Sequence, residues 1–159
     1  MIADTERLLI DAIIAFENKA CELIELLANQ FDLNLNDRHP FDKIKSRQTE
    51  LWKGILKEKW NYQFHGDACK FENIENGQLL DVKINRRGYY GAISNYYLLK
   101  FIETTNELKY VYDKINNSES IYNVITKLEE KELIINIGKS PLDTRILNTE
   151  KVNGLQQKL

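Results

Sequence analysis

Histidine and carboxylate stand one glycine apart at His65-Gly66-Asp67, and a thiol, Cys69, follows two positions on. A histidine beside a carboxylate can pass protons as a general acid or base. A thiol held against such a histidine can act as a nucleophile. Side chains alternate faces along a strand, however, and that alternation sets Cys69 on the face opposite His65. More plainly, His65 and Asp67 hydrogen-bond a turn in which Gly66 supplies the positive φ. No catalytic residue is therefore expected and the chain is not read as an enzyme, with a small hydrolase using His65 and Asp67 as an alternative. Gly138-Lys139-Ser140 has the ending of a phosphate loop, but that loop needs a glycine five residues earlier, where Leu133 stands. The sequence contains no G-x-G-x-x-G, G-x-S-x-G or H-E-x-x-H. Two histidines and two isolated cysteines, Cys21 and Cys69, do not have zinc-ligand spacing. Neither metal nor cofactor is expected.

Two stretches could touch nucleic acid. Arg86-Arg87 beside Tyr89-Tyr90 could hold phosphates and stack on bases. Together with the basic stretch 43–59, residues 86–90 give the alternative of a nucleic-acid-binding domain. An exposed loop with its tyrosines folded onto the core is the preferred account of 85–91. The segment Asn117–Ile137 has the form of a helix followed by a hairpin wing. Its Lys127 and Lys131 are outweighed by Glu129, Glu130 and Glu132, which disfavours DNA recognition.

The elements that would position these residues centre on Trp60–Ile84. Asn76-Gly77 is the pair favoured in two-residue hairpin turns. It sets Glu75 opposite Gln78, then Asn73 opposite Leu80, Phe71 opposite Val82 and Cys69 opposite Ile84. A second two-residue turn at Gly66-Asp67 sets His65 opposite Ala68, Phe64 opposite Cys69, Tyr62 opposite Phe71 and Trp60 opposite Asn73. One face of the resulting three-stranded meander (about 58–84) gathers Trp60, Tyr62, Phe64, Cys69, Phe71, Leu80, Val82 and Ile84. The other gathers Asn61, Gln63, His65, Lys70, Glu72, Asp81 and Lys83. A slip of one residue would exchange the faces.

Residues 3–30 are predicted to form a long amphipathic helix that covers the apolar face. Asp4, Arg7, Asp11, Asn18, Glu22, Glu25 and Asn29 mark its wet stripe. Leu9, Ile13, Phe16, Ala20, Ile24, Leu27 and Phe31 mark the opposite one. Residues 32–45 read as a connection and 46–57 as a short basic helix. Further helices are expected over 93–104 and from Asn116 to about Lys131, and 107–113 is ambiguous. Leu133–Ile137 and Arg145–Leu147 would pair as a small hairpin, followed by a frayed tail, 148–159. The fold class is α+β, in a single domain over 1–159.

The chain has 159 residues, 43% of them hydrophobic and 29% charged, which suits a globular domain with a core. Its net charge of −2 gives no general affinity for nucleic acid. The charge is uneven: residues 1–37 carry eight acids and two bases, and residues 38–60 seven bases and three acids. The start of the chain lacks the basic segment of an export signal, and no apolar run is long enough to span a membrane, so a cytoplasmic location is expected.

The pattern W-x-Y-x-F-H-G-x-x-C-x-F-x-N-x-x-x-G-x-x-x-D-V over 60–82, with Tyr97, Leu98 and Phe101 on a following helix, resembles a bacterial domain family marked by a histidine–glycine hairpin after a long N-terminal helix. The likeness spans 3–105. Its members look like immunity proteins of polymorphic toxin systems, including contact-dependent growth inhibition. The resemblance implies structural roles for His65, Gly66, Asp67, Cys69, Gly77 and Asp81. It also implies that the protein binds one cognate toxin 1:1 and neutralises it, with a nuclease as the expected toxin. Nuclease surfaces are basic because they hold phosphates, so the expected contact is acidic. It would use Asp4, Asp11, Glu22 and Glu25, or else Glu129, Glu130 and Glu132.

Overall fold

One uninterrupted helix, α1 (Asp4–Phe31), begins the chain. The structure, a computed structural model, describes residues 3–36, 49–53, 59–65, 68–85, 88–118, 120–136 and 145–157. The chain groups into two units, Phe16–Ala92 and Met1–Ala15 together with Ile93–Leu159, so each takes one part of α1. The expected inner stripe is buried at Leu9, Ile13, Phe16, Ala20, Ile24 and Leu27, while Phe31 is half-buried. Asp4 and Glu6 lie in the first turn, where carboxylates suit the helix dipole. At the far end the Leu33 N–H donates to the Ala28 carbonyl at 2.8 Å, with Asp32 in the left-handed region at φ 53°. This is the bond pattern of a helix end that glycine normally closes.

In the first unit the meander is wider than the three strands expected. Its five strands, β1 (Thr49–Lys53), β2 (Lys59–His65), β3 (Ala68–Asn73), β4 (Leu79–Asn85) and β5 (Gly88–Gly91), lie in sequence order and are antiparallel throughout. The described part of the expected basic helix 46–57 is instead β1. It pairs Thr49 with Gln63 and Trp52 with Trp60. Pairing along β2 overrides a helical pattern that was already weak at Gly54. Of the expected loop 85–91, the described residues are strand: Asn85 ends β4 and Gly88–Gly91 form β5.

The register of β2 on β3 is the expected one, from Trp60 opposite Asn73 to His65 opposite Ala68. That of β3 on β4 is not. Phe71 faces Leu80 rather than Val82, and Cys69 faces Val82 rather than Ile84. The cause is Asn73. Its Oδ1 accepts the N–H groups of Glu75 (2.9 Å) and Asn76 (3.2 Å), and its backbone N–H donates to the Gln78 carbonyl at 2.8 Å. The loop therefore runs over four residues, 74–77, with Gly77 alone at positive φ (73°). The shift is two residues, an even number, so the face assignment survives it. Trp60, Tyr62, Cys69, Phe71, Leu80, Val82 and Ile84 are buried together, and Phe64 is half-buried.

The Phe16–Phe31 part of α1 packs on this face. Phe31 meets Tyr62 edge-on, with ring centroids 6.1 Å apart. At β5, Gly91 lies so close to the helix that a Cβ there would stand 3.1 Å from the Glu17 Cα and 3.3 Å from the Ala20 Cβ.

In the second unit Ile93 makes an isolated antiparallel bridge with Arg145 and leads into α2 (Asn95–Thr104), capped by Ser94, whose Oγ accepts the Tyr97 N–H at 3.2 Å. A 3-10 turn (Asn106–Leu108) carries the chain into α3 (Lys109–Ser118), then α4 (Ile121–Glu130). The ambiguous 107–113 stretch is thus helical. Asn116-Asn117-Ser118 ends α3 rather than starting the next helix, because Ser120 provides the cap of α4. β6 (Ile134–Asn136) and β7 (Arg145–Leu147) form the expected hairpin. The described part of the expected frayed tail 148–159 instead forms α5 (Thr149–Gln157). Asn148 anchors it: its N–H donates to the Leu133 carbonyl at 2.9 Å and its side-chain amide to the Glu132 carbonyl at 2.8 Å. Val152 is buried. Glu6, on the first part of α1, is buried and accepts a hydrogen bond from the Lys131 ammonium.

Two substitutions test these contacts. Gly91→Val forces a branched side chain against the α1 backbone and should cost about 1–3 kcal/mol, read as a lowered urea midpoint. Glu132 holds φ 60° where α4 ends, closed by the Leu133 N–H on the Leu128 carbonyl at 3.0 Å. Glu132→Gly removes the strain of a Cβ in that region and should raise stability by about 0.5–1 kcal/mol, although an exposed ion pair is lost with it.

Candidate partner-binding surface

The spacing of Asp4, Asp11, Glu22 and Glu25 keeps them on one side of a helix, and all four are exposed on α1. Arg7, on the same stripe, is half-buried. Glu25 is engaged: it accepts a hydrogen bond from the Tyr89 hydroxyl of β5. That bond to a carboxylate, with some burial, pushes the Tyr89 phenol up to about 12. Asp4, Asp11 and Glu22 keep their carboxylates at the exposed side.

The second acidic set is not equivalent. Glu129 accepts from Nε of Arg145, a buried side chain whose Nη1 also donates to Asn95 Oδ1 at 2.9 Å. Glu132 stands beyond the end of α4, paired with the Lys151 ammonium at 3.1 Å. Glu130 is exposed. Two of these three carboxylates thus have counter-charges within their own unit.

Only part of the histidine–glycine pattern lies among the described residues. His65 ends β2, while Gly66 and Asp67 lie outside the described residues. Cys69 is fully buried, and burial first, then the Asp81 carboxylate, hold its thiol well above the usual range. Asp81 faces Lys70 across the ladder, and its backbone carbonyl accepts the Ala92 N–H at 2.8 Å. Tyr89 and Tyr90 are successive residues of a strand and so face opposite sides of the sheet, unlike a stacking pair on a loop. Arg86, Arg87 and most of 43–59 lie outside the described residues.

One constellation was missed. Glu17, Cys21 and Glu25 occupy consecutive turns of α1 beside β5. The four-residue spacing is visible in the sequence, but the strand that covers it is not. Burial, then the charges of Glu17 and Glu25, raise the Cys21 thiol to about 11, against a hydrogen bond with the Gly91 backbone. A thiol so rarely ionised at neutral pH is a poor nucleophile. Among the described residues no three His, Cys, Asp or Glu side chains could hold a metal ion, and no helix is long and apolar enough to cross a membrane.

Burial also raises the Glu17 carboxyl. Because its folded pKa lies above its unfolded one, protonated Glu17 favours folding, and that contribution is lost as pH rises through the folded value. Glu17→Gln should therefore raise the urea midpoint at pH 7. The gain should vanish below about pH 4, near the ordinary glutamate value, where wild type is protonated in both states.

Comparison with known proteins adds a family. No curated protein and no solved structure matches the chain. A family model described as a domain of unknown function, DUF6896, matches residues 9–145. That match runs from Leu9 within α1 to Arg145, the first residue of β7, and takes in the five-stranded sheet and the helices α2 to α4; the chain belongs to the DUF6896 family.

Proposed function

We propose that this protein works by binding rather than turnover, as an immunity protein that neutralises one bacterial toxin in a 1:1 complex in the cytoplasm. The observation that carries this reading is the stripe of α1, where Asp4, Asp11 and Glu22 stand exposed while the opposite side of the same helix is buried. Carboxylates displayed along a helix suit a basic protein surface. They speed encounter over a Debye length of about 8 Å at physiological salt. A nuclease is the partner the immunity-protein resemblance implies, because its phosphate-holding surface is basic and masking that surface or its active site stops the reaction. The α1 stripe is preferred to Glu129, Glu130 and Glu132, since two of those three already neutralise bases of their own unit.

The test begins with a pull-down from the native strain using the tagged full chain. A stoichiometric partner, toxic when expressed alone and harmless with this protein, is the expected result. In the triple variant Asp4→Lys, Asp11→Lys and Glu22→Lys the association rate should fall about 10- to 100-fold at low salt, and the loss should shrink as salt is raised. Unchanged association at low salt would rule out the electrostatic contact. Absence of any toxic partner would rule out immunity itself.

A further inference from the structure

The asparagine–glycine pair occurs twice in the chain, at Asn76-Gly77 and at Asn153-Gly154. Asparagine carries its own electrophile, the side-chain amide carbon Cγ, and the backbone nitrogen of the next residue can attack it to close a five-membered imide. A glycine in that next place leaves its nitrogen unshielded by a Cβ and its backbone free to rotate into the ring. The two pairs share this chemistry but stand in different conformations. Asn76 lies in the loop between β3 and β4, exposed together with Gly77, which holds φ 73°. Asn153 lies inside α5.

In the loop one electrostatic requirement is already met. Asn76 Oδ1 accepts the Gln78 N–H at 2.9 Å. That oxygen gains negative charge when the Gly77 nitrogen bonds to Cγ, so the Gln78 N–H is a donor placed where charge develops. Against the reaction, the Gly77 N–H donates to the Asn73 carbonyl at 2.8 Å and must first release it. This is one bond at a loop tip where Ile74, Glu75, Asn76 and Gly77 are all exposed, so water also reaches the imide. In α5 more must give way. A helix aims the Gly154 N–H at the carbonyl four residues back and fixes the Asn153 backbone torsion on which ring closure depends. Freeing it unwinds the turn beside Val152, the buried residue that holds α5 down.

We propose that Asn76 is a site of spontaneous covalent modification, through which the β3–β4 loop ages to isoaspartate, while Asn153 is spared. The Gly77 nitrogen attacks Asn76 Cγ, its proton passes to the side-chain nitrogen, the Cγ–Nδ2 bond breaks and ammonia leaves. Water then opens the imide, and a proton returns to the Gly77 nitrogen. Addition at Cγ restores the ordinary backbone with an aspartate. Addition at the backbone carbonyl leaves the chain running through Cγ, as isoaspartate. Both products carry a new negative charge, but they differ in the loop. Aspartate keeps a side-chain oxygen for the Gln78 N–H. Isoaspartate inserts a Cβ into the backbone, so the bonds that Asn73 makes with Gly77 and Gln78, both 2.8 Å, lose their spacing.

The experiment incubates the folded full chain at mildly alkaline pH and maps its peptides by mass spectrometry at intervals. The expected result is a gain of one mass unit at residue 76, with isoaspartate in excess of aspartate. The rate there should exceed that at Asn153 at least about 10-fold, because the loop opens locally far more often than the helix. In denaturant neither conformation persists, and the two rates should converge. Asn76→Asp should keep a urea midpoint close to that of wild type and gain no mass at this position, whereas the isoaspartate fraction of aged wild type should unfold at lower urea. An intact Asn76 in the folded chain after the denatured chain has reacted there would overturn the proposal, as would Asn153 reacting as fast in the folded chain. A midpoint unchanged by isoaspartate would overturn the effect on the loop.

Discussion

Burial of one aromatic sheet face beneath the Phe16–Phe31 part of α1 is the interaction on which that unit depends. Trp60, Tyr62, Phe71, Leu80 and Val82 are all withdrawn from water there. Each large apolar side chain contributes about 1.5–3 kcal/mol when fully buried, whereas a surface hydrogen bond such as Tyr89 to Glu25 nets about 1 kcal/mol. Packing therefore decides the arrangement, and the polar contacts adjust to it. Gly91 is the condition for that packing. A strand side chain at its position would hold the helix off the sheet edge, and Glu17 and Cys21 owe their unusual environments to the same close approach.

How much of this was legible in the sequence follows from which constraints are local. Strand alternation is local, so the two faces of the meander were readable even though the β3–β4 register was wrong by two residues. The turn was not readable from Asn76-Gly77 alone, because Asn73 outside the pair captures two N–H groups and lengthens the loop. The β1 strand and α5 were missed for another reason. Thr49–Lys53 becomes a strand by pairing with β2, and Thr149–Gln157 becomes a helix by burying Val152 and hanging from Asn148. Both partners of β1 and α5 lie close in sequence, but what fixes the elements is strand pairing in one case and the Glu132 and Leu133 carbonyls in the other, and a composition-based reading sees only polarity.

The candidate surface divides in the same way. Exposure of Asp4, Asp11, Glu22 and Glu25 was legible because a 28-residue helix enforces its own periodicity. What each carboxylate does with its charge was not, because that depends on groups far along the chain. Glu25 meets Tyr89 of β5, and buried Glu6 meets Lys131 at the end of α4. Partners 64 and 125 residues away leave no spacing to read.

Arg145 shows how such a distant demand settles the charge of a surface. The residue is only 8% exposed, because β7 pairs with β6 and bridges Ile93, and that backbone geometry fixes where the side chain must lie. A buried cation without a counter-charge costs several kcal/mol, by order of magnitude, so it must draw in an acid. Glu129 supplies the charge and Asn95 a further acceptor. The carboxylate that looks, in sequence, like part of an acidic recognition face is thereby committed to the hairpin. What α4 shows to solvent is then Tyr122, Asn123, Thr126, Lys127 and Glu130, with the Thr126 hydroxyl donating back to the Tyr122 carbonyl at 3.0 Å.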